Sequence, residues 1–175
     1  MSAVRRQQLF REARAFCDSF AAHASPDEMI AKHFSAKFLP YRNDISVLEH
    51  GVPQIAPFVG RKFQGKSGVR KYFETVSQYL TYDNVSFLDS DFMVDPQTYK
   101  VAVRGKGRFT WKSTGQSWIE SIHYQLSFAE LEIGCLMRLV SYEVWADTGA
   151  AYLASKGLLD VSEGSDSDRT PEVIT

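Results

Sequence analysis

An α+β fold, in which a strongly curved antiparallel sheet closes against helices around a cavity, is what this 175-residue sequence predicts. Three observations carry the prediction. Residues 98–147 divide into three long alternating stretches, TYKVAVRGKGRFTW, SWIESIHYQLSFAEL and GCLMRLVSYEVWAD, separated by the turn sequences KSTGQ and Glu132-Ile133-Gly134. The N-terminal stretches instead place apolar residues at helical spacing. An apolar content of 44% with a net charge of −1 gives enough apolar material for one core and no sign of general disorder.

In chain order, Val4–Ala22 is the first predicted helix, with a stripe of Leu9, Phe10, Ala13, Phe16, Cys17 and Phe20. Ser25-Pro26-Asp27-Glu28 supplies a cap, a first-turn proline and two acids for a short second helix through MIAKHF. Residues 37–50 read as extended, Gly51 as a break, and VPQIAPFVG as a short edge strand, because prolines cannot donate to a ladder. A third helix runs from Ser67, its predicted cap, to Leu80 with Val69, Tyr72, Phe73 and Val76 on one stripe. Tyr82–Val94 reads as a strand, residues 95–98 as the turn into the meander, and Thr148–Leu159 as a terminal helix. Residues 1–159 are expected to form a single domain, and the acidic, aromatic-poor residues 160–175 a disordered tail.

The two turns set a register, and strand alternation then selects a shared face. Facing Trp111 with Trp118 and closing the second turn on Ile133-Gly134 puts Val103, Phe109, Trp111, Trp118, Ile122, Tyr124, Leu126, Phe128, Leu139 and Trp145 together. The same face receives Glu120, Ser141, Glu143 and the glycines Gly105 and Gly107. Carboxylates among aromatics, with glycines that leave room, read as the lining of a pocket for a bulky apolar small molecule.

Several function classes are excluded at this level. Arg104, Lys106 and Arg108 alternate onto the opposite, solvated face, so no nucleic-acid stripe is expected. No run has the length of a membrane span, and the charged amphipathic N-terminus lacks the apolar core of a signal peptide, so a cytoplasmic protein without membrane partners is expected. Cys17 and Cys135 stand far apart without metal-ligand spacing and read as ordinary buried thiols. The sequence has no clustered metal ligands, P-loop or dinucleotide fingerprint, so no metal and no cofactor is expected.

The order of elements, GRKFQGKSGVRKYFETV before the third helix, and the final strand LMRLVSYEVWAD together resemble the SnoaL-like polyketide-cyclase branch of the nuclear-transport-factor-2-like cone over residues 4–159. The resemblance implies a cofactor-independent cyclase, isomerase or dehydratase that transfers protons on a polyketide, terpenoid or alkaloid intermediate. The same fold also serves epoxide hydrolases and non-catalytic binding or dimerisation modules, and a homodimer through the outer sheet face is expected.

Within that frame Glu143 is the first candidate for general acid or base, since burial among aromatics would raise its pKa. Its alternative is a structural ion pair with an arginine, and EVWAD has one residue more than the family's acid-to-aspartate spacing. Arg42 is the candidate to stabilise an enolate, the alternative being a surface arginine. Tyr124 is the candidate donor or orienting residue, or else a buried tyrosine with one satisfied hydroxyl. Glu120, Ser141, Trp145, Phe109, Trp118 and Leu126 are the candidate substrate-binding residues. Asp147 is either a second carboxylate or the cap of the following helix. Parity places His123 outside; His33 either reaches the cavity or packs; His23 and His50 read as loop residues.

Overall fold

A computed structural model describes residues 2–34, 45–130 and 137–160. Arg42, the second predicted turn, Cys135 and most of the predicted tail lie outside these described residues. The elements are α1 (Ser2–Ala21), α2 (Pro26–His33), β1 (Ser46–Glu49), β2 (Lys62–Gln64), α3 (Gly65–Tyr79), β3 (Leu80–Asp95), β4 (Lys100–Trp111), β5 (Ser117–Glu130), β6 (Met137–Trp145) and α4 (Thr148–Ser155). The α+β layout is as predicted, with the helices against one face of a mixed, curved and unclosed sheet ordered β2-β1-β6-β5-β4-β3.

Local chemistry sets most boundaries. Ser25 caps α2 in a full capping box with Glu28, and Pro26 opens the helix. The cap of α3 is Gln64, three residues before the predicted Ser67, and the helix begins at Gly65. The return strand is Lys62–Gln64, not the proline-bearing 52–60 segment, which forms turns and a single bridge between Glu49 and Val59. Prolines lack the N–H that a paired strand position needs. Gly51 sits at φ +150, and a side chain there would press on Val59 and Thr148.

Leu9, Ala13, Phe16 and Cys17 of α1 are fully buried on the predicted stripe. Phe16 meets Tyr142 edge-on at 4.9 Å between centroids, and Phe20 stacks on Tyr82 at 4.6 Å. Arg14 ties the outer side of α1 to β3 through the Phe87 carbonyl at 2.9 Å. Each large apolar side chain buried this way contributes about 1.5–3 kcal/mol, so α1 is a structural wall of the core.

Two features bend the sheet. The β3–β4 ladder slips between Asp83 and Ser86 and again between Phe87 and Phe92. Over β4, a side chain at Gly105 would collide with the Phe87 ring, and one at Gly107 with Val85. The glycines therefore make room for β3 to curl inward, and not for a ligand as the sequence suggested.

The β4–β5 register differs from the predicted one by two residues, with Phe109 opposite Trp118 and Gly107 opposite Glu120. A shift of two preserves the faces, so the predicted inner residues of these strands point inward. The β5–β6 register starts as predicted at Phe128–Leu139 and then breaks, because Ser127 pairs with Ser141 and Val140 is the extra residue. A one-residue slip exchanges faces. Beyond Val140, Tyr142 and Val144 are inside, while Ser141, Glu143 and Trp145 are outside.

Candidate active site

An internal cavity lies between the inner sheet face and the helices. Phe20 of α1 and Tyr72, Phe73 and Val76 of α3 form its roof; Glu49, Phe109, Trp118, Glu120, Ile122, Tyr124, Tyr142 and Val144 form its floor. Asp147, Thr148 and Ala151 at the start of α4 close one end. The cavity is narrow: the space open to the centres of water molecules is about 50 Å³, within about 560 Å³ of atom-free space reaching its mouth. An outer depression of about 270 Å³ on the first measure shares Phe20, Phe73, Val76, Leu80 and Tyr82 with it and adds His23 and Lys112. The two spaces are thus neighbours across one aromatic partition.

Glu49 is the most perturbed carboxyl in this cavity. It ends β1, the strand that pairs in parallel with β6, and alternation places it on the inner face with Val47. Only 7% of it is exposed, and burial raises its pKa from 4.5 to about 7. The Tyr72 hydroxyl donates to its Oε2 at 2.7 Å and partly opposes that rise; the nearby Glu120 carboxyl adds to it. Tyr72 itself is wholly enclosed, so its hydroxyl requires a partner, and Glu49 supplies one.

Glu120 is the second acid. Burial holds its pKa above the ordinary carboxylate value, against the opposing pull of the Asp147 backbone N–H, which donates to Oε2. The Trp118 indole N–H lies close enough to lower that pKa further, yet makes no full hydrogen bond to a described protein atom. Asp147 caps α4 by accepting from the Ala150 N–H at 2.9 Å, one of the two roles foreseen for it. Tyr124 and Tyr142 meet edge-to-face at 5.0 Å, and burial pushes both phenols well above their usual value, so both stay protonated.

The sequence candidates therefore separate. Tyr124, Glu120, Phe109 and Trp118 line the cavity. Leu126 is fully buried in the core beyond it. Ser141, Glu143 and Trp145 stand on the outer face, because the extra residue Val140 reverses the strand's parity. There Glu143 pairs with His50 Nε2 at 2.8 Å rather than with an arginine, and the His50 ring stacks on Trp145 at 4.1 Å. His123 is exposed on that same outer face, as parity required. His33 packs: its Nε2 lies 2.9 Å from Ser19 Oγ, and burial pulls its pKa to about 4. His23 stacks on Tyr82 at 4.4 Å beside the outer depression. Burial pushes the Cys17 thiol up and leaves it inert as a nucleophile.

Glu49, Tyr72 and Tyr142 were not singled out from the sequence as site residues. Two of them carry a signal. Glu49 shares strand parity with the apolar Ile45 and Val47, and Tyr72 interrupts an otherwise apolar helical stripe. A polar group on a buried stripe needs a partner, and here the two are partners. No group of His, Cys, Asp and Glu suited to a metal ion occurs among the described residues. No described helix is long and apolar enough to cross a membrane.

No protein-family model and no curated protein matches the chain. Solved structures do match it over most of its length. BvnE pinacolase from Penicillium brevicompactum is 16% identical with a TM-score of 0.60, the match covering 86% of this chain and 92% of that one. An NTF2-like protein from Burkholderia xenovorans is 15% identical with a TM-score of 0.59, covering 85% and 96%. A ketosteroid isomerase-like protein from Erwinia carotovora is 15% identical with a TM-score of 0.59, covering 81% and 95%. At such identities the likeness establishes the fold, which is the nuclear-transport-factor-2-like cone that the sequence resembles.

Proposed function

We propose that this protein is a cofactor-independent isomerase or cyclase, with dehydration as a variant of the same chemistry, and that Glu49 moves the proton. The observation that carries this reading is a buried carboxyl, its pKa raised to about 7 on the wall of an aromatic cavity, with a tyrosine fixing one of its oxygens. Near neutral pH such a group is present in both forms, so it can take a proton from one substrate atom and return it to another. Glu120, also held toward its neutral form, supplies a second proton position, and environments that separate two acids are how acid and base roles are assigned. Similarity to a pinacolase and to ketosteroid isomerase-like proteins supports the reaction class.

The substrate class is a polyketide, terpenoid or alkaloid intermediate with an apolar frame. The cavity's narrowness requires that only the reacting end enters, while the remainder occupies the adjoining depression behind Phe20, Phe73 and Tyr82. The walls then orient the reacting atoms and exclude water, which is the larger part of the work in a one-substrate rearrangement. Tyr124 lines the floor as an orienting residue. Glu143, on the outer face, is assigned no chemical step.

The test is untargeted. The purified protein and its Glu49→Gln variant are each incubated with a metabolite extract of the native host and compared by mass spectrometry. A metabolite consumed only by the parent supports the assignment, with product mass unchanged for isomerisation or cyclisation and lower by one water for dehydration. Retention of one compound, unaltered, by both proteins would make this a binding module instead.

A further inference from the structure

We propose that the substrate's reacting centre carries a positive charge, or acquires one as it reacts, and that the cavity is built to receive an organic cation. The inference deepens the reading of this cavity as a proton-transfer site and rests on it.

Nine of the nineteen described lining residues are aromatic, three are carboxylic acids, and none is Lys, Arg or His. An enolate or alkoxide needs donors or a cation where negative charge develops. Here the tyrosine hydroxyls are engaged with the protein: that of Tyr72 serves Glu49 at 2.7 Å, that of Tyr82 serves the Phe20 carbonyl at 3.1 Å, and those of Tyr124 and Tyr142 interact with each other. Lys112 lies in the outer depression, not in the cavity lining, and donates to the Ser77 carbonyl. A developing anion inside would instead face Glu49 and Glu120.

A cation meets the opposite environment. Ring faces attract positive charge through their quadrupole, and a desolvated site strengthens the attraction. A cation between Glu49 and Glu120 would also relieve the mutual repulsion that helps keep Glu49 protonated. Trp118, nine-tenths buried with an unpartnered indole N–H, lines the same space and leaves a donor for an oxygen beside the charged centre. The chemistry balances within the site. A carboxylic acid gives its proton to an alkene carbon, to an epoxide oxygen whose C–O bond then opens, or to a hydroxyl that leaves as water, and substrate cation and carboxylate form together. A carboxylate then takes a proton from a neighbouring carbon, and no net charge remains.

The test compares phenyltrimethylammonium with tert-butylbenzene, a neutral molecule of the same shape, by ligand-observed NMR on the parent protein. The cation is expected to bind about tenfold more tightly, and the Glu49→Gln/Glu120→Gln double variant to reduce that preference to about twofold or less. Equal affinity for the two probes, or binding of neither, overturns the inference. So does a preference that the double variant keeps in full, since the two acids would then contribute nothing to holding the cation. The extract experiment is read separately. Turnover lost in Glu49→Gln without a cation preference leaves the enzyme and removes this inference. A cation preference without turnover leaves a cation-binding site and removes the enzyme.

Discussion

Glu49 and Glu143 stand on paired strands, one residue out of register: Leu48 is opposite Glu143, and Glu49 opposite Val144. That single residue places them on opposite faces of the sheet and in different chemistry. Glu49 is enclosed, bound to one tyrosine and held near 7; Glu143 is about a quarter exposed and pairs with a half-buried histidine. Burial raises the pKa of the inner carboxyl to about 7, because little water is left beside it to stabilise the charge. The outer pair is solvated on the rim of the sheet, where such pairs do little for stability or chemistry. Side-chain identity did not decide which glutamate enters the cavity. Strand parity did.

The largest expected difference between the two is in turnover. Glu49→Gln keeps size and hydrogen-bonding shape but cannot exchange a proton, so the rate on the metabolite consumed by the parent should fall about 10²–10⁴-fold. Glu143→Gln should leave that rate within about twofold, because its side chain touches no cavity wall. If Glu143→Gln were the inactive variant, the bulge at Val140 would have to be absent in solution.

Stability separates the two faces next. In the unfolded chain Glu49 ionises near 4.5, and in the fold near 7. Between those values the folded state holds more protons than the unfolded one, so stability falls as pH rises through this window. Glu120, shifted the same way, adds to the fall. At pH 8 Glu49→Gln should therefore be more stable than the parent, by up to about 3 kcal/mol, and at pH 4 no more stable. Chemical denaturation at the two pH values measures this. His33, whose neutral form the fold prefers, is common to both proteins and cancels in the difference. A variant that gains nothing at pH 8 would show that Glu49 is better solvated than its burial implies.

Strand parity also decides how much of the fold is legible in the sequence. Element order, the capping box at Ser25, the α1 stripe and the faces of β4 and β5 follow from local signals that act over a few residues. Faces survived a two-residue error in register at Trp118 because alternation has a period of two. A one-residue bulge has no such tolerance, and nothing in LMRLVSYEVW marks Val140 as extra: the residues on either side read as an unbroken strand. Ser141, Glu143 and Trp145 are therefore expected inside when only the sequence is read. Glu49 was legible in part, since ISVLE alternates and its glutamate falls on the apolar side. Its partner Tyr72 lies 23 residues away on another element, and only the fold brings the two together.

Tyr72→Phe sharpens the comparison on the inner side. The hydroxyl bond lowers the Glu49 pKa, so its loss should move the rate's pH dependence to higher pH while the rate itself falls about tenfold. A role confined to packing would reduce stability and leave the profile in place.

The smallest effect belongs to the outer pair. Neutralising Glu143 removes one partner of a contact in which the glutamate is 27% exposed and His50 is 35% exposed. The His50 ring remains stacked on Trp145, and its backbone N–H remains bonded to the Val144 carbonyl at 2.8 Å. Glu143→Gln should thus cost less than about 1 kcal/mol, read as a small shift in a denaturation midpoint that shrinks further in high salt. A loss of several kcal/mol would mean that this face is covered in solution and the pair desolvated with it, since only a buried pair is so costly to break.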